Sequence, residues 1–211
     1  MGALYSTCPQ TGKTLDSCSL RHIMSVTDVN DEFGRPLKDL RISVTDRCNF
    51  RCRYCMPRER FNEDHTFLPK RAFLSFDEIE KVVRSTISLG LEKVRITGGE
   101  PLLRKNLPEL ISKLSKLDID IALTTNASLL KKNAKALRLA GLNRVTISLD
   151  ALDPELHKQM SDSNISVDSI LEGIDEAVRV GLSPVKINCV VQKGVNEEEV
   201  SKLVHYFRGT G

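Results

Sequence analysis

Three cysteines fall within eight residues. Cys48, Cys52 and Cys55 are spaced Cys-x3-Cys-x2-Cys in the run Asp46-Arg47-Cys48-Asn49-Phe50-Arg51-Cys52-Arg53-Tyr54-Cys55. Thiolates bind iron–sulfur clusters, and a cubane cluster has four irons. Three cysteines leave one iron without a protein ligand, open to a small molecule. Two other uses compete. A structural zinc site wants four closed ligands, and His65, ten residues beyond Cys55, is the fourth on offer. The cysteines could also be redox-idle packing. A loop directly after a strand is the setting the cluster motif requires, and here the sequence has it.

Composition narrows the setting. The chain has 211 residues, 40% hydrophobic and 28% charged, with no Trp. That is usual for a soluble α/β domain with one core. A net charge of +3 is too small to argue for nucleic acid or an anionic membrane. No run of eighteen apolar residues offers a membrane span. Six cysteines without a secretory leader fit a metal site in a reducing compartment better than a disulfide framework. Residues 1–34, rich in Ser, Thr and Asp, read as a flexible N-terminal extension, and residues 35–211 as the core domain. Met1-Gly2-Ala3-Leu4-Tyr5-Ser6 matches the loose N-myristoylation pattern, which is too short to build on. Cys8 and Cys18 read as spare thiols.

From Leu40 onward strand and helix signals alternate. Strands are expected at 40–45, 93–97, 119–125, 144–150 and 185–191. Ser75 with Glu78 forms a capping box before Ile79, Val82 and Val83, and Gly90 closes that helix. Pro108 suits the first turn of the next. Helices are also expected over 128–140 and 167–180, and one capped by Asn196 with Glu199 that stops at Gly209. Gly-Leu-x-x-Val recurs at 90–94, 141–145 and 181–185, each a helix-ending glycine, a short loop and a strand. Three copies of one helix-to-strand junction imply parallel strands joined by crossover helices. The architecture is a (β/α) barrel or an open parallel sheet.

Each strand has one apolar alternating set, such as Val94 and Ile96 or Val145, Ile147 and Leu149. The opposite set is polar: Arg41, Ser43 and Thr45; Arg95 and Thr97; Thr124 and Asn126; Thr146, Ser148 and Asp150; Lys186 and Asn188. A parallel strand buried on both faces reads as continuously apolar. These do not, so the polar face must line a wet or ligand-filled interior. Barrel sites lie at the C-terminal strand ends, where Thr97, Asn126 and Asp150 fall.

The cysteine spacing after a strand, Tyr54 just before the third cysteine, and Gly98-Gly99-Glu100-Pro101 after the second strand together resemble the radical S-adenosylmethionine superfamily. Paired glycines also permit close backbone approach to a ligand. Leu40-Arg41-Ile42-Ser43-Val44-Thr45, Arg95-Ile96-Thr97, Thr124-Thr125-Asn126, Ser148-Leu149-Asp150-Ala151, Gly34-Arg35-Pro36 and Val185-Lys186-Ile187-Asn188 sharpen this. From about 34 to 207 the chain is similar to the GTP 3′,8-cyclase family of molybdenum cofactor biosynthesis.

That resemblance implies a partial (β/α) TIM-like barrel of about five parallel strands, and a [4Fe–4S] cluster on Cys48, Cys52 and Cys55 whose open iron takes S-adenosylmethionine. One electron then yields a 5′-deoxyadenosyl radical, which takes hydrogen from C3′ of GTP before the ribose carbon attacks C8. It carries S-adenosylmethionine binding over to Tyr54, Gly99 and Ser148, and GTP binding to Arg41, Arg95, Thr124 and Lys186. Three cations on one polar interior would repel unless an anion joined them, and a triphosphate suits. The implied partners are GTP, an external electron donor and, downstream, a cyclic pyranopterin monophosphate synthase. Neither nucleic acid nor membrane is expected, and a homodimer is one arrangement open to the chain. The extension before Gly34 points to a mitochondrial matrix protein, with the cytoplasm as the alternative.

Other residues read as bland: Cys189 as core, His157 and His205 as solvated, the charges of 197–202 as a solvated helix face. The family continues with a sixth strand, a second cysteine triad that contacts guanine and a terminal Gly-Gly. Without them this chain is expected to bind the first cluster but to cyclise GTP poorly, or to be a non-catalytic, partner-binding product with an exposed sheet edge. Ala127 stands where the family usually has Gly.

Overall fold

The computed structural model describes residues 29–209. The myristoylation pattern, Cys8, Cys18 and most of the 1–34 extension lie outside them. Strand β1 is Asp39–Ser43, β2 Lys93–Thr97, β3 Asp120–Thr125, β4 Arg144–Ser148 and β5 Lys186–Asn188. Between and after them run α1 Phe76–Ile87, α2 Leu107–Leu114, α3 Leu130–Leu139, α4 Pro154–Ser161, α5 Val167–Arg179 and α6 Glu197–Phe207.

All five strands pair in parallel in the order β1-β2-β3-β4-β5. Right-handed crossovers that always step in one direction keep the connecting helices on one face. A doubly wound sheet would reverse its order. Among the described residues β5 does not pair with β1, so the sheet is an open, partial (β/α) barrel.

The apolar sets face the helices. Val94, Ile96, Ile121, Leu123, Val145 and Ile147 are fully buried, as are Leu110, Ile111 and Leu114 of α2, Leu130 and Leu137 of α3, and Ile170 of α5. Each such side chain contributes about 1.5–3 kcal/mol, so this layer holds the sheet against its helices and leaves the opposite face polar. Strand register places Arg41 beside Arg95, Thr124 beside Thr146 and Ser148 beside Asn188. The polar sets therefore share one face, as the alternation requires.

The end signals hold at most helices. Ser75 Oγ accepts from Glu78 N while Glu78 Oε2 accepts from Ser75 N. The three repeat glycines have φ of 98°, 105° and 81°, and their leucines are buried. Ala127 adopts φ 60°, the left-handed region where a Cβ costs about 1 kcal/mol or more. Glycine would be the unstrained residue there.

Four expectations need correction. β5 spans three residues rather than seven, because Val190 turns its N–H to the Asp150 side chain. Helix α4 was not anticipated, although Asp153 caps it and Pro154 opens it. Asn196 makes no side-chain cap. Its amide instead donates to the Asp150 and Val190 carbonyls at 2.9 Å each. Finally, Glu199 is not solvated: it is 2% exposed and accepts from Leu152 N, Asp153 N and Lys202. Asn196 and Glu199 together pin the β4–α4 loop.

Burial raises the Glu199 pKa, but Lys202 and the two backbone N–H groups outweigh it and hold the carboxyl below the usual range. Glu199→Ala leaves those N–H groups without a partner and should cost about 2 kcal/mol, read as a lower Tm. A depressed folded-state pKa gives stability that is present above the unfolded value and lost as pH falls. The Tm gap between parent and variant should therefore shrink below about pH 4.

Candidate active site

The cysteine loop rises from the C-terminal end of β1 and is pinned from four directions. From β2, Gly99 N donates to Thr45 O at 2.8 Å and Glu100 N to Arg47 O at 2.7 Å. A Cβ on Gly99 would lie 2.9 Å from Cys48 N and nearer still to the Arg47 carbonyl; one on Gly98 would lie 2.7 Å from Thr45 O. The paired glycines are thus required by the cysteine loop's own backbone, rather than by ligand approach alone. From β3, Asn126 Nδ2 donates to Asn49 Oδ1 at 2.9 Å and to Cys48 Sγ at 3.8 Å. Glu100, fully buried, joins the two strand ends by accepting from Thr125 Oγ1 and Asn126 N.

From β4, Asp150 Oδ2 accepts the Tyr54 hydroxyl at 2.6 Å. From α4, the carbonyls of Ser161 and Met160 accept from Arg51 N at 2.9 Å and Arg53 N at 3.4 Å. The last carbonyls of a helix lack intrahelical donors, so this end is free to hold the backbone on both sides of Cys52. Inside the loop, Arg51 Nη1 donates to Cys48 O and Phe50 O, and Cys55 N to Cys52 O.

These contacts enclose a cavity of about 250 Å³ at the C-terminal strand ends. Cys48, Cys52 and Cys55 line it, together with Tyr54, Gly99 and Ser148. So do Arg41 and Thr124. Arg95 and Lys186 share the sheet face but do not line this cavity. Arg95 meets Asp39 at 3.2 Å, and Asp39 also takes Lys93 at 3.0 Å. The chain's own carboxylate therefore supplies an anion for Arg95, and the expected convergence of three cations on one cavity does not occur. Arg144, level with Arg95 across Ala122, is a further cation on that face and pairs with Asp120.

His157 corrects another expectation. It is 4% exposed, lines the cavity and stands edge-on to Phe50 with centroids 6.0 Å apart. The Asp153-Pro154 helix start, with His157 and Ser161 four residues apart, was the signal for it. Cys189 does pack partly against the core, and His205 is exposed as expected.

The residues present fit a cluster and a polar ligand. Cys48 Sγ already accepts from Phe50 N at 3.4 Å, the kind of N–H contact that tunes cluster sulfurs. Burial raises the Cys48 thiol and pushes Cys52 up to about 12, with Cys48 and Asp150 adding to the latter, so metal binding must displace protons. Among the described residues no group of three His, Cys, Asp or Glu side chains is placed for a single metal ion; a cubane takes ligands set further apart. Among the described residues, the buried side-chain atoms without a partner are Asp46 Oδ1, Thr124 Oγ1, His157 Nε2 and Ser161 Oγ. Three of these residues line the cavity and Asp46 precedes its cysteine loop. Buried polar atoms are nearly always hydrogen-bonded, so their concentration here marks a place built to be filled.

Because the neighbour of Gly99 is backbone, a methyl there forces the cysteine loop away. Gly99→Ala should cost more than about 2 kcal/mol and reduce bound iron well below the parent's content. Both are read by thermal melts and by iron analysis after anaerobic reconstitution.

Known proteins are similar to this chain in sequence and in fold. GTP 3′,8-cyclase of Staphylococcus carnosus (strain TM300) is 53% identical over 185 residues, covering 87% of this chain and 54% of that protein. GTP 3′,8-cyclase of Xanthomonas campestris pv. campestris (strain B100) is 52% identical over 190 residues, covering 89% and 56%. The chain thus spans about half the length of these bacterial relatives. In structure it is similar to Streptococcus suis SuiB bound to S-adenosylmethionine, with a TM-score of 0.67 and 24% identity over 81% of this chain and 38% of that one. Methylornithine synthase gives a TM-score of 0.64 at 15% identity, covering 87% and 59%. The model of the Radical SAM superfamily matches residues 42–207, and the chain belongs to that superfamily.

Proposed function

We propose that this chain is the cluster-bearing core of a GTP 3′,8-cyclase of molybdenum cofactor biosynthesis. The observation that carries this is the cavity in which three cysteines meet Arg41, Thr124 and Ser148, in a chain that spans about half the length of relatives named for that reaction. Membership of the superfamily brings a [4Fe–4S] cluster and S-adenosylmethionine as cofactors. Cys48, Cys52 and Cys55 would hold the cluster, and the three-to-four mismatch between thiolates and irons leaves one iron open. When bound, the cluster supplies one electron to the sulfonium and so a 5′-deoxyadenosyl radical.

The chain's own residues bind and orient. The β2 loop around Gly99, Ser148 on β4 and Tyr54 on the cysteine loop surround the proposed S-adenosylmethionine position. Tyr54 does so while tied to Asp150, which fixes the loop against β4. Thr124 offers an orphaned hydroxyl and Arg41 a guanidinium to GTP. Arg95 and Lys186 lie outside the cavity lining and would serve the outer part of the nucleotide, with the Arg95 guanidinium shared between Asp39 and phosphate. Burial of the cavity wall keeps water from a radical. An external electron donor and a downstream pyranopterin-forming enzyme complete the proposed setting.

Anaerobic reconstitution should give about four irons and matching sulfide per chain, and dithionite with S-adenosylmethionine should then release 5′-deoxyadenosine. Cys48→Ser, Cys52→Ser or Cys55→Ser should abolish that release. One zinc with no iron, or a full cluster that leaves S-adenosylmethionine intact, would overturn the proposal. Added GTP should be consumed only in the presence of the cluster, and cyclised product tests the substrate.

A further inference from the structure

From Arg47 to Arg71 the chain has seven Lys and Arg residues against three Asp and Glu. That surplus of four exceeds the +3 of the whole chain, so this segment accounts for all of its net positive charge. It is folded back on the cysteine loop. Met56 N donates to Cys52 O, and Arg60 N and Phe61 N donate to Pro57 O, so a tight turn follows Cys55 at once. Arg51 Nε donates to Phe61 O, and the Arg47 and Arg51 guanidiniums lie over the Phe67 ring. Leu68 N donates to Asp46 Oδ2 at 2.7 Å. Arg58 reaches Asp162 at the end of α4. The charges are therefore held beside the cysteines.

Most of this charge is not spent within the chain. Arg53, Arg58 and Arg60 are exposed. Of the seven cations Arg58 alone forms an ion pair among the described residues, and the Arg53 and Arg60 side chains have no partner there. Arg53 and Arg58 line one open depression of about 500 Å³ with Pro57, Glu59 and Asp162. Fixed like charges this close together raise the local potential, which steers an oppositely charged partner. Of the three clustered cysteines, Cys48 and Cys52 are half-buried and Cys55 is exposed, so the patch borders the sulfur nearest solvent. A small anion would need donors converging in an enclosed site. These arginines are spread over an open surface, which suits the face of another protein. Electron-transfer partners meet through small interfaces in which charge sets the encounter rate.

We propose that Arg53, Arg58 and Arg60, beside the exposed Cys55, form the docking surface for an acidic one-electron carrier protein of the flavin or iron–sulfur class. This rests on the cluster reading given above. One electron leaves the reduced carrier and enters the cluster, so the carrier is oxidised by one electron and the cluster reduced by one. No bond forms or breaks at this surface. The arginines set how often and in what orientation the carrier arrives.

Arg53→Glu and Arg60→Glu, alone and together, reverse charge at exposed side chains. The probe is an acidic plant-type [2Fe–2S] ferredoxin. In its oxidised form it should bind the chain in a low-salt calorimetric titration, and bind the double variant about tenfold more weakly, within the range of electrostatic steering. In stopped flow, the reduced ferredoxin should reduce the reconstituted double variant about tenfold more slowly than the parent. The parent's rate should fall as salt is raised and the screening length shortens. Methyl viologen radical cation, a small donor of opposite charge, should reduce the variants no more slowly than the parent. Iron content and Tm should be unchanged. Equal ferredoxin binding by parent and double variant overturns the surface. So does an equal slowing with ferredoxin and viologen, which would mean that the reversals disturb the cluster itself. So does charge-dependent binding of phosphatidylserine vesicles with none of ferredoxin. A parent chain that viologen reduces but that leaves S-adenosylmethionine intact refutes the proposed function; normal viologen-driven cleavage with ferredoxin rates indifferent to both reversals refutes the docking surface alone.

Discussion

The close approach of two backbones governs this molecule. The chain between Thr45 and Cys48 lies so near Gly98 and Gly99 that neither can carry a Cβ, and two N–H···O bonds lock the pair together. Because the contact is between backbones, no side-chain rearrangement can relieve a substitution. It sets the height of Cys48 above the sheet and aims Glu100 inward, where its carboxylate gathers Thr125 and Asn126. Asn126 in turn reaches the Cys48 sulfur. One steric requirement thus propagates through hydrogen bonds to three strand ends.

Much of the charge on the polar face is paired within the chain itself. Asp39 meets both Lys93 and Arg95, and Asp120 pairs with Arg144, all at or near the N-terminal strand ends. Toward the C-terminal ends the balance changes: Arg41 enters the cavity, and buried hydroxyl, imidazole and carboxylate atoms go without partners. The low-dielectric setting makes such orphans costly. Their presence at one end of the barrel, against the ion pairs at the other, separates a stabilising end from a ligand-binding end.

Helix α4 and the start of α6 do a related task on the far side. Glu199 and Asn196 are turned away from solvent and spent on the loop after β4, while the end of α4 takes the N–H groups flanking Cys52. The Asp150 carboxylate between them receives both Tyr54 and Val190. The cysteine loop is therefore held from β4 as firmly as from β2, which a loop carrying an open-sided metal site requires.

Periodicity and end signals determined the five parallel strands, their common polar face and most helix limits, because alternation and capping are local properties of a chain. Cysteine spacing and the Gly-Gly-Glu run determined the chemistry for the same reason. What Gly99 is for, which of Arg41, Arg95 and Lys186 enters the cavity, and that Glu199, Asn196 and His157 are buried were decided only by tertiary structure. A charged or polar residue in a helix reads as solvated until the fold brings it an acceptor or a donor from a distant segment. Leu152 and Asp153 do this for Glu199, and Asp39 does it for Arg95 from 56 residues away. Burial depends on what packs across, and no window of sequence contains that.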